Sequence, residues 1–449
     1  MLKDAQGLDV TTASTEAIAA IDQFIDQSLS YGRQAEFAIL QAVGADPACA
    51  IAHAFAAAYY LSQESAAAWE QATPYLRAAI QHQSKATRRE QQWVRAVVAW
   101  ARGDIDQAIA IHELLTTKYP QDLLSVQQGQ YHYFYQGDQA GLLQIAENVL
   151  PANSGHLHLH YLYGMIAFGL EQCHRLSEAE VMGRKATEMN RHDPWAHHAV
   201  AHVLETQGRV EEGIAWMEGL ADTWENCNSM LYTHNWWHIA LYYLERQDFS
   251  TVLRLYDTKV WGRSRPDSPK DQVGAIALLL RLELRGVEVG GTRWQELASH
   301  LSPRIHEHAL PFQDLHYVYA LARTHQQDWV QEMLQSMEAH AHRIKPALQQ
   351  PWIEIALPAA QGMVAHAQQD WQQAIALLRP VLSRLGAIGG SHAQRELFEQ
   401  VYADALKQAE KHQDIHAFSR KQRSFQQNGT SGPRITAIHD HQSLTAKVS

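Results

Sequence analysis

DPWAHHAVAHVLETQGRVEEGIAWM, residues 193 to 217, holds a complete structural unit in one line. Asp193 ahead of Pro194 marks a helix start, because the carboxylate can accept a free backbone N–H of the first turn and proline fits that turn. Alanine, valine and leucine then recur at helical spacing as far as about Thr206, the pattern of a helix with a packed face. Gly208 stops it, and GRVEEGIAW turns the chain into a second helix.

The same turn-then-helix line returns along the chain as GDIDQAIAI at Gly103, GDQAGLL at Gly137, HRLSEAEVM at His174, QDFSTVLRL at Gln247, QDWVQEMLQ at Gln327 and QDWQQAIAL at Gln369. The second residues, Asp104, Asp138, Arg175, Arg209, Asp248, Asp328 and Asp370, stand 34, 37, 34, 39, 80 and 42 apart. The interval of 80 reads as two units, with a weak repeat near Arg285 to Trp294. A unit of this length made of two helices and a turn predicts an all-α, tetratricopeptide-type helical-hairpin solenoid curled into a superhelix. The expected organisation is an N-terminal helical segment over 1–30, one repeat array over 31–410 and a mostly disordered tail over 411–449. Helices are expected from Ser14 to Ser30 and again behind the Asp46-Pro47 start. The tail, QQNGTSGPRITAIHDHQSLTAKVS, has turn formers and no period.

Composition agrees with an array. Of 449 residues 46% are hydrophobic, and the formal charge of -11 is spread along the chain rather than gathered in a block. That balance argues against a nucleic-acid footprint. Three cysteines, Cys49, Cys173 and Cys227, make neither a disulfide framework nor a CxxC pair. The N-terminal MLKDAQGLDVTTAST lacks an apolar core, and no later run approaches a membrane span. A cytoplasmic protein with no membrane partner is expected.

Two helices carry histidines one turn apart: His198 and His202 in DPWAHHAVAHVLE, then His234 and His238 in THNWWHIALYYLE. Residues four apart share a helix face, so each helix presents an imidazole ladder, with Glu205 and Glu245 on the same faces. Because the turns at Gly208 and Asp248 are equivalent, the four should form a slanted stripe across neighbouring helices. Imidazoles so spaced suit a divalent cation. Oriented by Glu205, His198 and His238 also suit general acid–base chemistry. The plainer reading is a polar layer of histidines bonded to one another and to backbone. Cys227 lies seven residues before His234, within reach as a nucleophile if its loop folds back, although a partly buried thiol is the simpler account. In PFQDLHYVYAL, Asp314 and His316 reach one site only if Asp314 caps the helix. In IGGSHAQRELFEQ, Ser391 and Gln394 form a capping box, while Gly389, Gly390 and Arg395 offer an anion seat.

These motifs give the chain a resemblance to the tetratricopeptide repeat protein 38 family. The stretches are DPACAIAHA, RREQQWVRA with AWARGD, YGMIAFGLEQ, DPWAHHAVAHVLE with QGRVEEGIAWM, HNWWHIALYYLE with LYD, PFQDLHYVYAL and GGSHAQRELFEQ, in order from about Ala45 to Ala405. The resemblance implies an all-α superhelix and a soluble protein, and places His198, His202, Glu205, His234, Asn235, Trp237, His238, Asp314, His316, Gln394 and Arg395 in family motifs. It supplies no reaction. Two functions are expected from the sequence: a His/Trp-lined concave pocket that binds a peptide segment or small ligand, or a hydrolase-like enzyme using the same His/Glu/Asp cluster with or without a divalent metal.

Overall fold

The structure, a computed structural model, describes residues 1–410. The tail expected over 411–449 lies outside the described residues.

Ten helical hairpins follow one another among the described residues. They are α1 (Thr15–Leu29) with α2 (Ala35–Ala45), α3 (Ala50–Leu61) with α4 (Ala66–His82), and α5 (Arg88–Ala101) with α6 (Ile105–Lys118). Next come α7 (Leu123–Gln136) with α8 (Gln139–Glu147), α9 (Leu159–Gln172) with α10 (Leu176–Met189), and α11 (Pro194–Gln207) with α12 (Val210–Glu218). Then α13 (Ser229–Glu245) pairs with α14 (Phe249–Leu255), α15 (Pro269–Leu284) with α16 (Gly291–Ser299), and α17 (Pro311–Arg323) with α18 (Gln327–Arg343). In the tenth, α19 (Pro346–Pro351) runs through a π-turn at Trp352–Ala356 into α20 (Leu357–Ala367), which pairs with α21 (Trp371–Leu378). A single helix, α22 (His392–Gln408), closes the array.

The division expected at residue 30 falls inside the first hairpin, so α1 belongs to the array. The helix behind Asp46-Pro47 begins three residues later than the proline, at Ala50. The chain also opens with a two-residue strand pair, Leu2–Lys3 against Asp9–Val10, which the sequence pattern did not announce.

The repeat rests on its turns. Gly103, Gly137, His174, Gly208, Gln247, Gly286, His325 and Gln369 all have positive φ, each just past the first helix of a hairpin. A left-handed residue there lets the chain reverse while its N–H groups meet the last carbonyls of the helix. Gly286 supplies the turn missing from the interval of 80. First helices are buried almost all round, as in α9, whereas second helices bury one stripe, as with Ala179, Gly183 and Ala186 in α10. At Gly183 a Cβ would stand 2.5 Å from Val200 Cγ2, so the hydrogen lets α10 and α11 approach closely.

The solenoid does not stay open. Its second superhelical turn stacks on its first. The turn after α1 forms an antiparallel bridge from Gly32 to Cys227, and Asn228 N–H donates to Tyr31 O at 2.7 Å. Farther on, Glu64 accepts from Gln313 at 2.5 Å and pairs with Lys270 at 3.0 Å, while Gly137 abuts the Gly386 carbonyl. Two hydrophobic cores, one per turn, meet at α11: Ala196, Ala199 and Val203 join the first, Val200, Ala201 and Leu204 the second.

Candidate functional site

The imidazole ladders of α11 and α13 face each other where the two cores meet. Asp193 caps α11 by accepting from Ala196 N–H at 3.1 Å, and Asn228 caps α13 in the same way through Leu231 at 3.0 Å. Asn235 ties the helices together, its Nδ2 donating to Pro194 O at 3.4 Å. With both helices fixed, the four rings converge, their centroids 4.5 to 5.0 Å apart for five of the pairs. Nε2 of His198 lies 3.0 Å from Nε2 of His202 and 3.1 Å from Nε2 of His234. One candidate ligand nitrogen from each ring falls within 4.8 Å of all the others. The slanted stripe expected from the sequence is a compact cluster.

Aromatic rings hold the cluster in place. Trp195 stacks on His198 at 4.6 Å, and Tyr31 from the first hairpin stacks on Trp195 at 5.0 Å. Trp237 stacks on His234 at 5.3 Å, with the Arg281 guanidinium over its ring at 5.2 Å. Behind the imidazoles stand two carboxylates. Half-buried Glu205 Oε2 is 3.0 Å from His238 Nδ1, and buried Glu171 Oε2, from α9, is 4.0 Å from His202 Nδ1. Glu171 has a sequence signal, as a charged residue near the end of the apolar run LHYLYGMIAFGLEQ, but the sequence alone assigns it no partner.

Electrostatics keep the rings neutral. Burial and the neighbouring imidazoles hold His198, His202 and His238 well below the ordinary histidine value, and burial brings His234 down to about 4. Loss of solvent pushes Glu171 up to about 7, and pushes Glu205 well above the carboxylate range with Glu396 adding to it. Neutral rings keep their lone pairs, the form that accepts a proton or a cation.

The cluster forms one wall of a cavity of about 290 Å³ that lies between the stacked turns. His198, His202, His234 and Trp237 line it, with Phe24, Phe55, Phe134 and Phe168 around them. Gln127, Gln128 and Gln313 add neutral hydrogen-bonding groups. His238 sits one layer behind, against Glu205. The N-terminal end of α22 enters the same space through Gly390, Ser391 and Gln394.

Of the other residues singled out by sequence, Gln394 borders the cavity and the rest are engaged elsewhere. Asp314 is not the cap of α17, which starts at Pro311 behind Leu310; it lies in the first turn and is 2.6 Å from His308 Nδ1. His316 points away, its Nδ1 2.9 Å from the Phe312 carbonyl and its ring 5.3 Å from Phe398, so the two residues form no common site. The capping box at Ser391 is present, and the Gln394 side chain accepts from Ser391 N–H at 2.9 Å even as the residue borders the cavity. Arg395 donates to the Gly390 carbonyl and has Glu171 and Glu399 as its charged neighbours. An anion seated there would meet an N-terminus already capped and carboxylates close by. Cys227 pairs its backbone with Gly32, and burial pushes its thiol up to about 12, far from a thiolate nucleophile.

No protein-family profile matches the chain. A TPR repeat-containing protein of Bacillus subtilis (strain 168), YvcD, is 26% identical over 169 residues, covering 36% of this chain and 33% of that protein. The chain thus matches about a third of its relative's length. Among solved structures, Naa15/Naa10 bound to HypK-THB aligns with 90% of this chain and 68% of that one, at 12% identity and a TM-score of 0.25. No helix among the described residues is long and apolar enough to cross a membrane. By its hairpins, its turns and their stacking, the chain is a tetratricopeptide-type helical-repeat protein.

Proposed function

We propose that this protein binds a small, largely apolar molecule in the cavity between its superhelical turns, against the histidine cluster. The observation that carries this is the stacking of the second turn on the first. An extended peptide needs an open concave groove. Here Gly32, Glu64 and Gly137 bring the first turn against the second, and the space left between them is a concave pocket with aromatic sides, neutral polar groups and Lys270, whose charge Glu64 meets, a make-up that suits a small-molecule site. The ordered resemblance of seven stretches supports placing the chain with the tetratricopeptide repeat protein 38 family, and three free cysteines support a reducing, cytoplasmic setting.

A second reading, hydrolysis at the same cluster, is favoured by the His238–Glu205 pair, an imidazole oriented by a carboxylate. Since His238 stands behind the cavity wall, that chemistry would reach a ligand only through the three rings in front of it.

Gly274 provides the test. It lines the cavity from α15, and a Cβ added there meets nothing within 4 Å. Gly274→Phe adds a ring at the cavity wall from a position where Cβ has open space. The variant is expected to bind a neutral naphthalene fluorophore at least about tenfold more weakly, read by energy transfer from the tryptophans, of which Trp93, Trp195 and Trp237 line the cavity, with helical content kept and the helix favoured by up to ~1 kcal/mol. Equal binding by parent and variant would remove the cavity as the site.

A further inference from the structure

We propose that His198, His202, His234 and His238 hold one divalent first-row transition-metal ion, zinc by donor preference, through their four Nε2 atoms. The inference deepens the ligand-binding reading and rests on it only for what the ion would face, since His234 and its neighbours border the cavity.

The first argument is hydrogen-bond accounting. A neutral imidazole has one N–H and one lone pair. Nε2 of His198 is within 3.1 Å of two other Nε2 atoms. If it carries the proton it can satisfy one of them and faces the other with nothing to share. If it does not, its one lone pair can accept from only one of them, and the other contact is either a second donor without an acceptor or two lone pairs face to face. Nε2 of His238 is buried with no partner, its Nδ1 being engaged by Glu205. A cation at the centre uses the four lone pairs at once and leaves the protons on Nδ1. Of the two partnerless ring nitrogens in the cluster, Nε2 of His238 and Nδ1 of His198, it accounts for the first.

The second argument is geometry. Zinc binds imidazole nitrogen at about 2.0–2.1 Å in a tetrahedron, so ligand nitrogens stand about 3.3 Å apart. Two of the Nε2 separations are 3.0 and 3.1 Å, and one ring nitrogen from each of the four histidines lies within 4.8 Å of those of the others. A pair at that limit closes by about 1.5 Å, within the reach of χ rotation. The ligands come from two helices that are capped and tied, as a preorganised site requires.

The outer layer is the third. His238 has Glu205 on its Nδ1, and Glu171 is the carboxylate nearest Nδ1 of His202. Carboxylates behind metal-bound imidazoles fix the tautomer and turn Nε2 toward the ion. Glu171 also keeps one carboxylate oxygen, Oε1, buried without a partner. An all-imidazole donor set with no thiolate or thioether selects zinc, copper, nickel or iron over calcium and magnesium, and a tetrahedral arrangement favours zinc.

The experiment uses the full chain, stripped with a chelator and titrated with Zn²⁺ and with Co²⁺. One equivalent per chain is expected, with the visible absorption of tetrahedral Co²⁺. Glu205→Gln, which leaves all four ligands in place, should bind about 10- to 100-fold more weakly. The His198→Ala, His238→Ala double variant should bind none, with circular dichroism reporting whether its helices persist; if they do not, Glu205→Gln decides. No uptake by the folded parent, or affinity unchanged by Glu205→Gln, overturns the proposal. The fluorophore assay with Gly274→Phe is run on stripped chain, so a failed metal site leaves the cavity result standing and the reverse.

Discussion

Two histidine clusters in this chain invite comparison. The outer one gathers His306, His308 and His340 beside Trp352, and both ring nitrogens of His306 and of His308 have partners. His308 Nδ1 is 2.6 Å from Asp314, its Nε2 is 2.7 Å from Ser336 Oγ, and His306 spans Ser336 and Glu332 at 3.0 and 2.9 Å. The inner one, on α11 and α13, packs four imidazoles nitrogen against nitrogen and leaves Nε2 of His238 with nothing. The outer distances are those of a Ser–His–Asp relay, yet Ser336 lies within α18 with a second imidazole on its hydroxyl, not on the exposed turn that presents a nucleophile. A cluster whose polar atoms are satisfied explains itself as structure. One whose polar atoms are crowded and unpaired calls for a further component.

The comparison can be broken where packing alone should matter. Trp237 is 1% exposed and wedged between His234 and Arg281. Trp237→Ala is expected to cost about 3–5 kcal/mol, read as a fall in Tm, and to weaken metal uptake. Trp352→Ala, beside His308 and His340, should cost a comparable amount and leave uptake unchanged. If both variants bound metal like the parent, the inner cluster would have no claim to be built for it.

A third kind of buried histidine sharpens the scale. His112 is buried, with Ser125 Oγ 2.9 Å from its Nδ1, and burial lowers it from 6.5 to about 4. Above pH ~6.5 both folded and unfolded chains carry it neutral, so it adds no pH dependence there. As pH falls from ~6.5 toward ~4 the unfolded chain takes up the proton and the folded chain does not, so stability drops. At pH 5 the loss from this one group is about 2 kcal/mol. Melts at pH 7 and pH 5 should therefore show His112→Gln losing less on acidification than the parent. An equal loss would mean the ring protonates within the fold.

The smallest effect is expected at Ser336. Ser336→Ala removes the hydroxyl shared by His306 and His308 and should cost about 1 kcal/mol by denaturant titration, with metal uptake and cavity binding untouched. Loss of an esterase-like activity in that variant would instead promote the outer cluster from structure to chemistry.

Much of the architecture was readable from residues because the repeat advertises itself locally: Gly103, Gly137 and Gly208 mark the left-handed turns, and Asp193 marks a cap. The unit hidden in the interval of 80 is there, turning at Gly286. The pairing of His198 with His202 and of His234 with His238 follows from one helical turn. What could not be read is anything set by the accumulated curl. Tyr31 reaching Trp195 and Glu64 meeting Gln313 both depend on small rotations summed over several hairpins, which no local pattern encodes. Asp314 was misplaced for a local reason: Pro311 starts the helix earlier than the carboxylate, which then turns to His308.

Anomalous diffraction at the zinc edge, from crystals of the full chain grown with one equivalent of Zn²⁺, compares the two clusters in a single map. One peak is expected, about 2 Å from Nε2 of His198, His202, His234 and His238, and none beside His306 and His308. A peak at the outer cluster with none at the inner would contradict this.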